Sequence, residues 1–507
     1  MIPKINEKPT VLIAGAGAGK THDMVSKIVH ALGSLRSNRI LAAITFTNAA
    51  TNSIKERLQA HIDIPPNVFV GTNHSFFCQF ILLPFGTLFG CVGSDPIFCD
   101  IDIRKIIDKQ CRKSKNPAIR SAVRAKTNSK LVSKGTVPFE QIAPVSAKLM
   151  DNPRVRDIVS NRIQYLFIDE FQDIDIVQLK IFDAIRKTKK TSIYAVGDPE
   201  QYILGFTYGI RGVAKPHFAK IPINRYAETC NKCQIDINKR ATSQLVKFTN
   251  KFHTSIEQVS GIGYVEKSGV YFLMNTDMDK IISTFIDISY HGAVLSEFDR
   301  LLFLGYENNT FDGYVERYCL RPLANDNTRL TSVICEAIDL ITSSARMSAK
   351  CICVNNGMST IEFRKLGIKM LRSIISKNIG TPHELCKWLT CGFKISSPQY
   401  AESAEKILDK ISQIVCTDII NSNRFHSSIH KAKGLEAECV LVVAKSREEL
   451  AQWLITDRQK RFSDKNDTCR IGYVAFTRAK RLLCIACREP LDCQLESKLV
   501  ELMVRMI

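Results

Sequence analysis

Val11-Leu12-Ile13-Ala14-Gly15-Ala16-Gly17-Ala18-Gly19-Lys20-Thr21 sets the reading of this chain. A short apolar run enters a loop of the pattern A/G-x-x-x-x-G-K-S/T, the phosphate-cradling loop of nucleotide hydrolases. Its glycines let successive backbone N–H groups converge on phosphate oxygens, its lysine neutralises the β and γ phosphates, and the hydroxyl after it holds a magnesium ion. Ala14, Gly15, Ala16, Gly17, Ala18, Gly19, Lys20 and Thr21 are therefore the expected contacts to a nucleoside triphosphate, with Thr21 a ligand of Mg²⁺.

Further parts follow in order along the chain. Tyr165-Leu166-Phe167-Ile168 reads as a buried strand that delivers Asp169 and Glu170 to the sheet edge beside the loop. Asp169 is the expected second handle on Mg²⁺, and Glu170 the group that positions or deprotonates the attacking water. A third strand, Ser192 to Val196, ends in Gly197-Asp198-Pro199-Glu200-Gln201, which places Gln201 to sense the γ-phosphate. Gly, Asp and Pro are also ordinary turn residues, so this segment closes a strand in either case.

Together these segments resemble the UvrD/Rep-like branch of superfamily 1 DNA helicases. Thr45-Phe46-Thr47-Asn48-Ala49-Ala50 and Gly71-Thr72-Asn73-His74-Ser75-Phe76 look like its first two DNA-contact motifs, and Asp169-Glu170-Phe171-Gln172-Asp173 like its acidic motif. Asn238-Lys239-Arg240-Ala241, Ile429 to Glu436 and Tyr473 to Ala479 look like its fourth, fifth and sixth. The resemblance implies two RecA-like parallel-sheet motor domains with mainly helical insertions. It sets motor domain 1A at 1–73 and 161–224, insertion 1B at 74–160, motor domain 2A at 225–307 and 414–507, and a reduced insertion 2B at 308–413. It also implies ATP as substrate with Mg²⁺, leaves other NTPs or dNTPs open, and implies 3′ to 5′ movement along single-stranded DNA. Lys20, Asp169, Glu170 and Gln201 would be catalytic, Arg240 and Arg478 would be arginine fingers, and Glu436 would touch the ribose or couple to DNA. Thr45, Phe46, Thr72, His74, Phe206 and His430 would grip the strand by stacking and phosphate contacts.

Composition agrees with such a chain. In 507 residues, Lys and Arg number 70 against 50 Asp and Glu, a net charge of +20, and a polyanion is the expected partner. Eleven Lys/Arg against Asp108 alone lie between Arg104 and Lys134, a stretch that suits phosphate contact, a solvated helix face or a protein-docking surface. No apolar run reaches the length of a membrane span and Met1-Ile2-Pro3-Lys4 lacks a signal-peptide pattern, so a soluble, cytoplasmic protein without a membrane partner is expected. The 18 cysteines are scattered, which fits a reduced compartment. Cys230-x-x-Cys233 and Cys484-x-x-Cys487 have zinc-like spacing, but the second pair sits in an apolar strand-like run and reads as buried thiols. Helix-like stretches at Leu330 to Ser348 and Ile361 to Ser376 carry no chemical motif.

Two departures from the family pattern shape the expectations. Lys27 and Lys239 stand where an Arg and a Tyr usually sandwich adenine, which predicts weak base discrimination. After Gln201 the chain has Leu204 at an aromatic stacking position and Thr207 in place of an arginine, so ATP turnover is a firmer expectation than processive unwinding. More narrowly, the chain resembles the B subunits of the Gabija bacterial anti-phage systems. That resemblance implies an OLD-family nuclease partner, the Gabija A subunit, in a hetero-oligomer. Three readings stand: a DNA-stimulated translocase, a DNA-end sensor that regulates a nuclease with little unwinding, and a P-loop enzyme of small metabolites that would leave the other motifs unexplained.

Overall fold

Five short apolar segments with branched or aromatic side chains, and a sixth that is polar and exposed at the edge, form the strands of the first sheet. They are β1 (Thr10–Ala14), β2 (Ile40–Thr45), β3 (Val68–Thr72), β4 (Ile163–Ile168), β5 (Ser192–Gly197) and β6 (Asn231–Ile235). In this computed structural model they lie in the order β3-β2-β4-β5-β1-β6, and every neighbouring pair is parallel. The structure describes residues 2–507 apart from 95, 100–102, 112–115, 206–217, 293–299, 323–352, 354–356, 377, 394–404, 406–407, 409–422 and 463–466.

Apart from the exposed edge strand β6, both faces of this sheet are buried, as parallel sheets require. Val11, Ile13, Ala42, Ile44, Leu166, Ile168, Ile193 and Ala195 enter one apolar core, while Leu12, Ala14, Leu41, Ala43, Phe167, Tyr194 and Val196 enter the other. The alternation is the period-two pattern of a strand read out on both sides. The helix Lys20–Leu32 covers one face with Met24, Val25, Ile28 and Ala31. Between β3 and β4 the described residues are mainly helical, including Pro117–Ser133, Phe139–Met150 and Pro153–Arg162.

The chain divides into two compact units, Met1–Leu295 with Leu304–Tyr306 and Ala432–Ile507, and Ser296–Phe303 with Glu307–Lys431. The first also contains the parallel strands Ala437–Ala444, Ala479–Cys487, Gly269–Leu273 and Arg505–Met506, adjacent in that order. Cys484 and Cys487 are buried within this group. The second unit pairs Arg321–Pro322 with Arg424–Ser428 in parallel and contains the helices Thr360–Ile375 and Pro382–Phe393. Thr360–Ile375 opens on a capping box between Ser359 and Glu362. It falls on the helix-like stretch from Ile361; the one from Leu330 to Ser348 lies outside the described residues. Among the described residues no helix is long and apolar enough to cross a membrane.

The register of the first sheet brings the chemically active segments together. Ile13 pairs with Gly197, Ile168 with Ala195, and Ile44 with Ile168, so the glycine loop, Asp169 and Asp198 all emerge at the carboxyl edge of neighbouring strands. That edge is where open parallel sheets bind ligands. The helix Thr468–Phe476 reaches the same region, held against the helix Arg447–Trp453 by close contact at Gly472. A Cβ at Gly472 would lie 2.6 Å from Trp453 Cβ and 2.9 Å from Trp453 Cα. Gly472→Ala would gain about 1 kcal/mol of helix propensity, but overpacking against a neighbour's backbone costs about 1–3 kcal/mol. The expected outcome is a net loss of stability, seen as a lower denaturant midpoint with unchanged slope.

Candidate functional site

The loop's conformation is set by its glycines and by contacts to its backbone. Gly17 and Gly19 have φ of 78° and 81°, a region costly for other residues, and a Cβ on Gly17 would meet the Asn238 side chain at 2.5 Å. Asn238 Nδ2 donates to Ala16 O (2.9 Å) and Lys239 N to Gly17 O (2.9 Å), so the segment after β6 is fastened to the loop. Lys20 Nζ donates to Ala14 O (3.0 Å) and Gly15 O (3.1 Å), leaving one of its three donors over.

Lys20, Thr21, Glu170, Gln201, Arg240, Glu436 and Arg478 all face one cavity of about 410 Å³. Ala16, Gly17 and Gly19 supply its loop wall, and His22, Arg57, Lys239 and Lys480 add to its rim. Ala14, Gly15 and Ala18 do not line it; Ala14 and Ala18 pack instead in the apolar core on one face of the sheet. Lys27 is not part of this wall: it pairs with Asp23 one turn along its helix and lies 5.1 Å from the centre of the Tyr194 ring. The histidine next to the loop, rather than Lys27, thus accompanies Lys239 at the rim.

Thr21 Oγ1 donates to Asp169 Oδ2 (3.3 Å). Burial, reinforced by Glu170, raises the Asp169 carboxyl to about 7 against the opposing pull of the Glu170 N–H, Lys20 and Thr21. A hydroxyl and a buried carboxylate are hard oxygen donors, and a divalent cation there would favour the charged form of Asp169; these residues fit Mg²⁺. Glu170 has φ of 50°, an uncommon conformation for a residue with a side chain, and local strain of this kind clusters at functional sites. Burial works to raise its carboxyl too, but Lys433 and Lys20 outweigh it and hold Glu170 below the ordinary carboxylate range. The Gln172 amide nitrogen donates to Glu170, and Gln172 Oε1 accepts from Asp198 N (3.0 Å). One fully buried glutamine therefore ties the acidic motif to the turn after β5.

Arg478 is 2% exposed. It donates to Val474 O (2.8 Å), Leu435 O (3.0 Å), Thr477 Oγ1 (2.9 Å) and Gln201 Oε1 (3.3 Å), none of them a carboxylate. Burial and the neighbouring Arg240 bring its guanidinium down to about 9, so an anion in the cavity would stabilise its charge. Arg240 bonds Glu436 Oε2 (2.9 Å) and Thr477 O (2.7 Å), and Lys480 holds the other Glu436 oxygen (3.1 Å).

Several residues essential to this geometry carry no local signal that would assign them a role. Lys433 bonds both Asp173 oxygens (2.6 and 2.7 Å) and Gln201 O (2.7 Å). Burial raises the Asp173 carboxyl to about 6 despite that lysine. Glu200 accepts from Arg461 Nη2 (2.7 Å) and Thr254 Oγ1 (2.6 Å), with Arg470 Nε at 3.8 Å. Arg470 lies 3.5 Å over the Phe218 ring. Among the basic residues Lys433, Arg461 and Arg470, Lys433 alone stands inside a motif, the fifth, where its charge could have drawn notice. Arg461 and Arg470 have no such context, because an arginine read from sequence is a surface residue by default.

The residues expected to meet DNA are more dispersed. Thr45 is buried, its hydroxyl bonded to Thr47 O (3.0 Å) and Thr51 Oγ1 (2.6 Å). Phe46 is 37% exposed. Thr72 caps the helix Asn73–Phe77, and half-buried His74 lies edge-on to Phe139 at 6.3 Å. Phe206 and Thr207 lie outside the described residues, and His430 belongs to the second unit. In the basic stretch, Arg120 pairs with Asp108 and Arg124 with Glu140 (3.4 Å), while Lys126, Lys130 and Lys134 are exposed.

Breaking a buried ion pair leaves an uncompensated charge and costs about 3–5 kcal/mol. Arg461→Met is therefore expected to destabilise the chain by about that amount, a loss that equilibrium unfolding of the variant measures directly.

Parts of the chain are similar in sequence to known proteins. Residues 1–207 match the model of the AAA domain family, a span that includes the loop, the acidic motif and the turn after β5. The ATP-dependent DNA helicase Rep of Buchnera aphidicola subsp. Baizongia pistaciae is 25% identical over 248 residues, covering 42% of this chain and 36% of the relative. Gabija protein GajB of Bacillus cereus is 27% identical over 243 residues, 48% of this chain and 46% of the relative. The ATP-dependent DNA helicase PcrA of Staphylococcus aureus is 25% identical over 287 residues, 49% and 38%. The chain spans less than half the length of these relatives. With two parallel-strand assemblies and this cavity, it resembles the UvrD/Rep-like helicases and also the Gabija protein GajB.

Proposed function

We propose that the chain is an ATP-dependent, DNA-stimulated motor of the UvrD/Rep type. The observation that carries this reading is the convergence on one cavity of Lys20, Thr21, Glu170 and Gln201 with Arg240 and Arg478 from distant parts of the chain. Such a cavity holds a triphosphate between a phosphate loop and two guanidinium groups. Lys20 and the loop N–H groups bind the β and γ phosphates, and Thr21 and Asp169 would hold Mg²⁺, which when bound neutralises phosphate charge. Glu170, held ionised, accepts the proton of the attacking water as its oxygen bonds to the γ-phosphorus and the bond to the bridging oxygen breaks. Arg240 and Arg478 stabilise the charge on the transferred phosphoryl group. Glu436, fixed by Arg240 and Lys480, closes the side of the cavity where the ribose would lie.

The partner in this reading is single-stranded or end-bearing DNA, met in the first unit by Phe46, Thr72 and His74. Thr45 contributes by shaping the turn, because its hydroxyl is engaged within it. Movement is 3′ to 5′. The likeness to GajB, together with Leu204 and Thr207 in place of the usual gripping residues, favours a helicase subunit that senses DNA beside an OLD-family nuclease in an anti-phage complex. A standalone repair helicase is the competing reading, and unwinding of a tailed duplex by the purified chain alone would favour it.

Steady-state hydrolysis with and without single-stranded DNA tests the proposal. Glu170→Gln is expected to bind nucleotide as the parent does while turnover falls at least about a hundredfold; undiminished hydrolysis in that variant refutes the assignment. The rim carries His22 and Lys239, so GTP and dATP are expected to be turned over at rates near that of ATP. Hydrolysis confined to ATP at matched concentrations would refute weak base discrimination.

A further inference from the structure

The turn that carries Gln201 is held from outside by a histidine that belongs to none of the motifs. His253 follows the helix Ser243–Asn250 and its side chain is 2% exposed. Its Nδ1 accepts two backbone hydrogen bonds, from Ser255 N (3.2 Å) and Ile256 N (3.1 Å). A nitrogen that accepts carries no proton, so the network assigns the ring proton to Nε2. Nε2 then donates to Asp198 Oδ1 at 3.1 Å. The ring also packs edge-on to Tyr473, with centroids 5.6 Å apart.

Asp198 passes this constraint on. It is fully buried, and its Oδ1 also accepts from Glu200 N (3.0 Å). Its Oδ2 accepts from Gln201 Nε2 (2.8 Å) and from the Tyr473 hydroxyl (3.4 Å), whose oxygen in turn accepts from Ala16 N in the loop (3.5 Å). A carboxamide has one donor end and one acceptor end. With its nitrogen committed to Asp198, Gln201 must turn its oxygen toward Arg478 Nη2, where it lies at 3.3 Å. The direction of the Gln201 amide is thus set by a carboxylate whose own rotation is stopped by the imidazole.

We propose that His253 is a positioning residue for hydrolysis, fixing Asp198 so that Gln201 presents its amide to Arg478 and the γ-phosphoryl group. This rests on the NTPase reading above. Because the effect acts on groups that engage the transferred phosphoryl, loss of the Nε2 donor should lower kcat and leave the KM for ATP nearly unchanged.

The imidazole's two functions can be separated by substitution. His253→Asn keeps an acceptor near Nδ1 for the Ser255 and Ile256 amides and removes the donor to Asp198. His253→Gln keeps a donor near Nε2 and loses the acceptor. In DNA-stimulated ATP hydrolysis by the full chain, measured well below both thermal midpoints, His253→Asn is expected to lose about tenfold or more in kcat with KM within about twofold; it also lowers the thermal midpoint, because a buried carboxylate loses a donor, but no more than His253→Gln does. His253→Gln should unfold at lower temperature yet hold kcat within about threefold of the parent. In a double-variant cycle with Gln201→Ala, adding His253→Asn should slow turnover no further, since the histidine acts through that amide. Undiminished kcat in His253→Asn overturns the inference, as do additive losses in the cycle or kcat losses in both variants that simply follow their thermal midpoints. A parent chain that hydrolyses no nucleotide with any DNA overturns the functional reading itself, and the inference with it.

Discussion

Asp173, Asp198 and Glu200 are buried at the carboxyl edge of a parallel sheet, where an unpaired carboxylate would be expelled or protonated. Distant segments satisfy each of them: Asp173 bonds Lys433, Asp198 bonds His253 and Tyr473, and Glu200 bonds Thr254 and Arg461 with Arg470 nearby, so that Asp198 and Glu200 share the same two stretches. Burial of these charges therefore obliges three separate stretches of the later chain to meet the first sheet at one place. One of these stretches also carries Arg478 and, through Tyr473, bonds the glycine loop. Electrostatic need and candidate chemistry share one set of contacts.

That arrangement explains why the cavity is lined by charge rather than by apolar surface. Lys20, Arg57, Lys239, Arg240, Arg478 and Lys480 face it, against the two acids Glu170 and Glu436. Glu436 is already spoken for by Arg240 and Lys480, and Glu170 lies within reach of the fields of Lys433 and Lys20. The surplus is positive, and Arg478 in particular bonds only neutral acceptors. A multiply charged anion is the ligand that such a surface stabilises.

The turn Asp198–Gln201 links the two halves of this system. Its backbone is held by Gln172 on one side and Lys433 on the other, and its three polar side chains each bond outward, Asp198 to His253, Glu200 to Thr254 and Gln201 to Arg478. A short turn held at so many points has little freedom to rearrange, because turning the Gln201 amide would break bonds to buried charge.

The sequence by itself determined the parallel α/β architecture and the members of the cavity that sit in local patterns. Alternating burial, glycines with positive φ and residues just past strand ends are encoded within a few neighbours, so Lys20, Thr21, Asp169, Glu170 and Gln201 are legible in the linear chain. Arg240 and Arg478 came from the resemblance of longer motifs. The tertiary structure alone decided what fastens these residues. Tyr473 and Asp198 lie 275 positions apart, and nothing local marks His253, Arg461 or Arg470 as buried. It also withdrew the Thr45 hydroxyl into its own turn and showed Lys27 paired with Asp23 instead of lining the cavity. Whether a polar group faces solvent or a buried partner depends on which segments pack over it, and that is fixed only when the chain closes on itself.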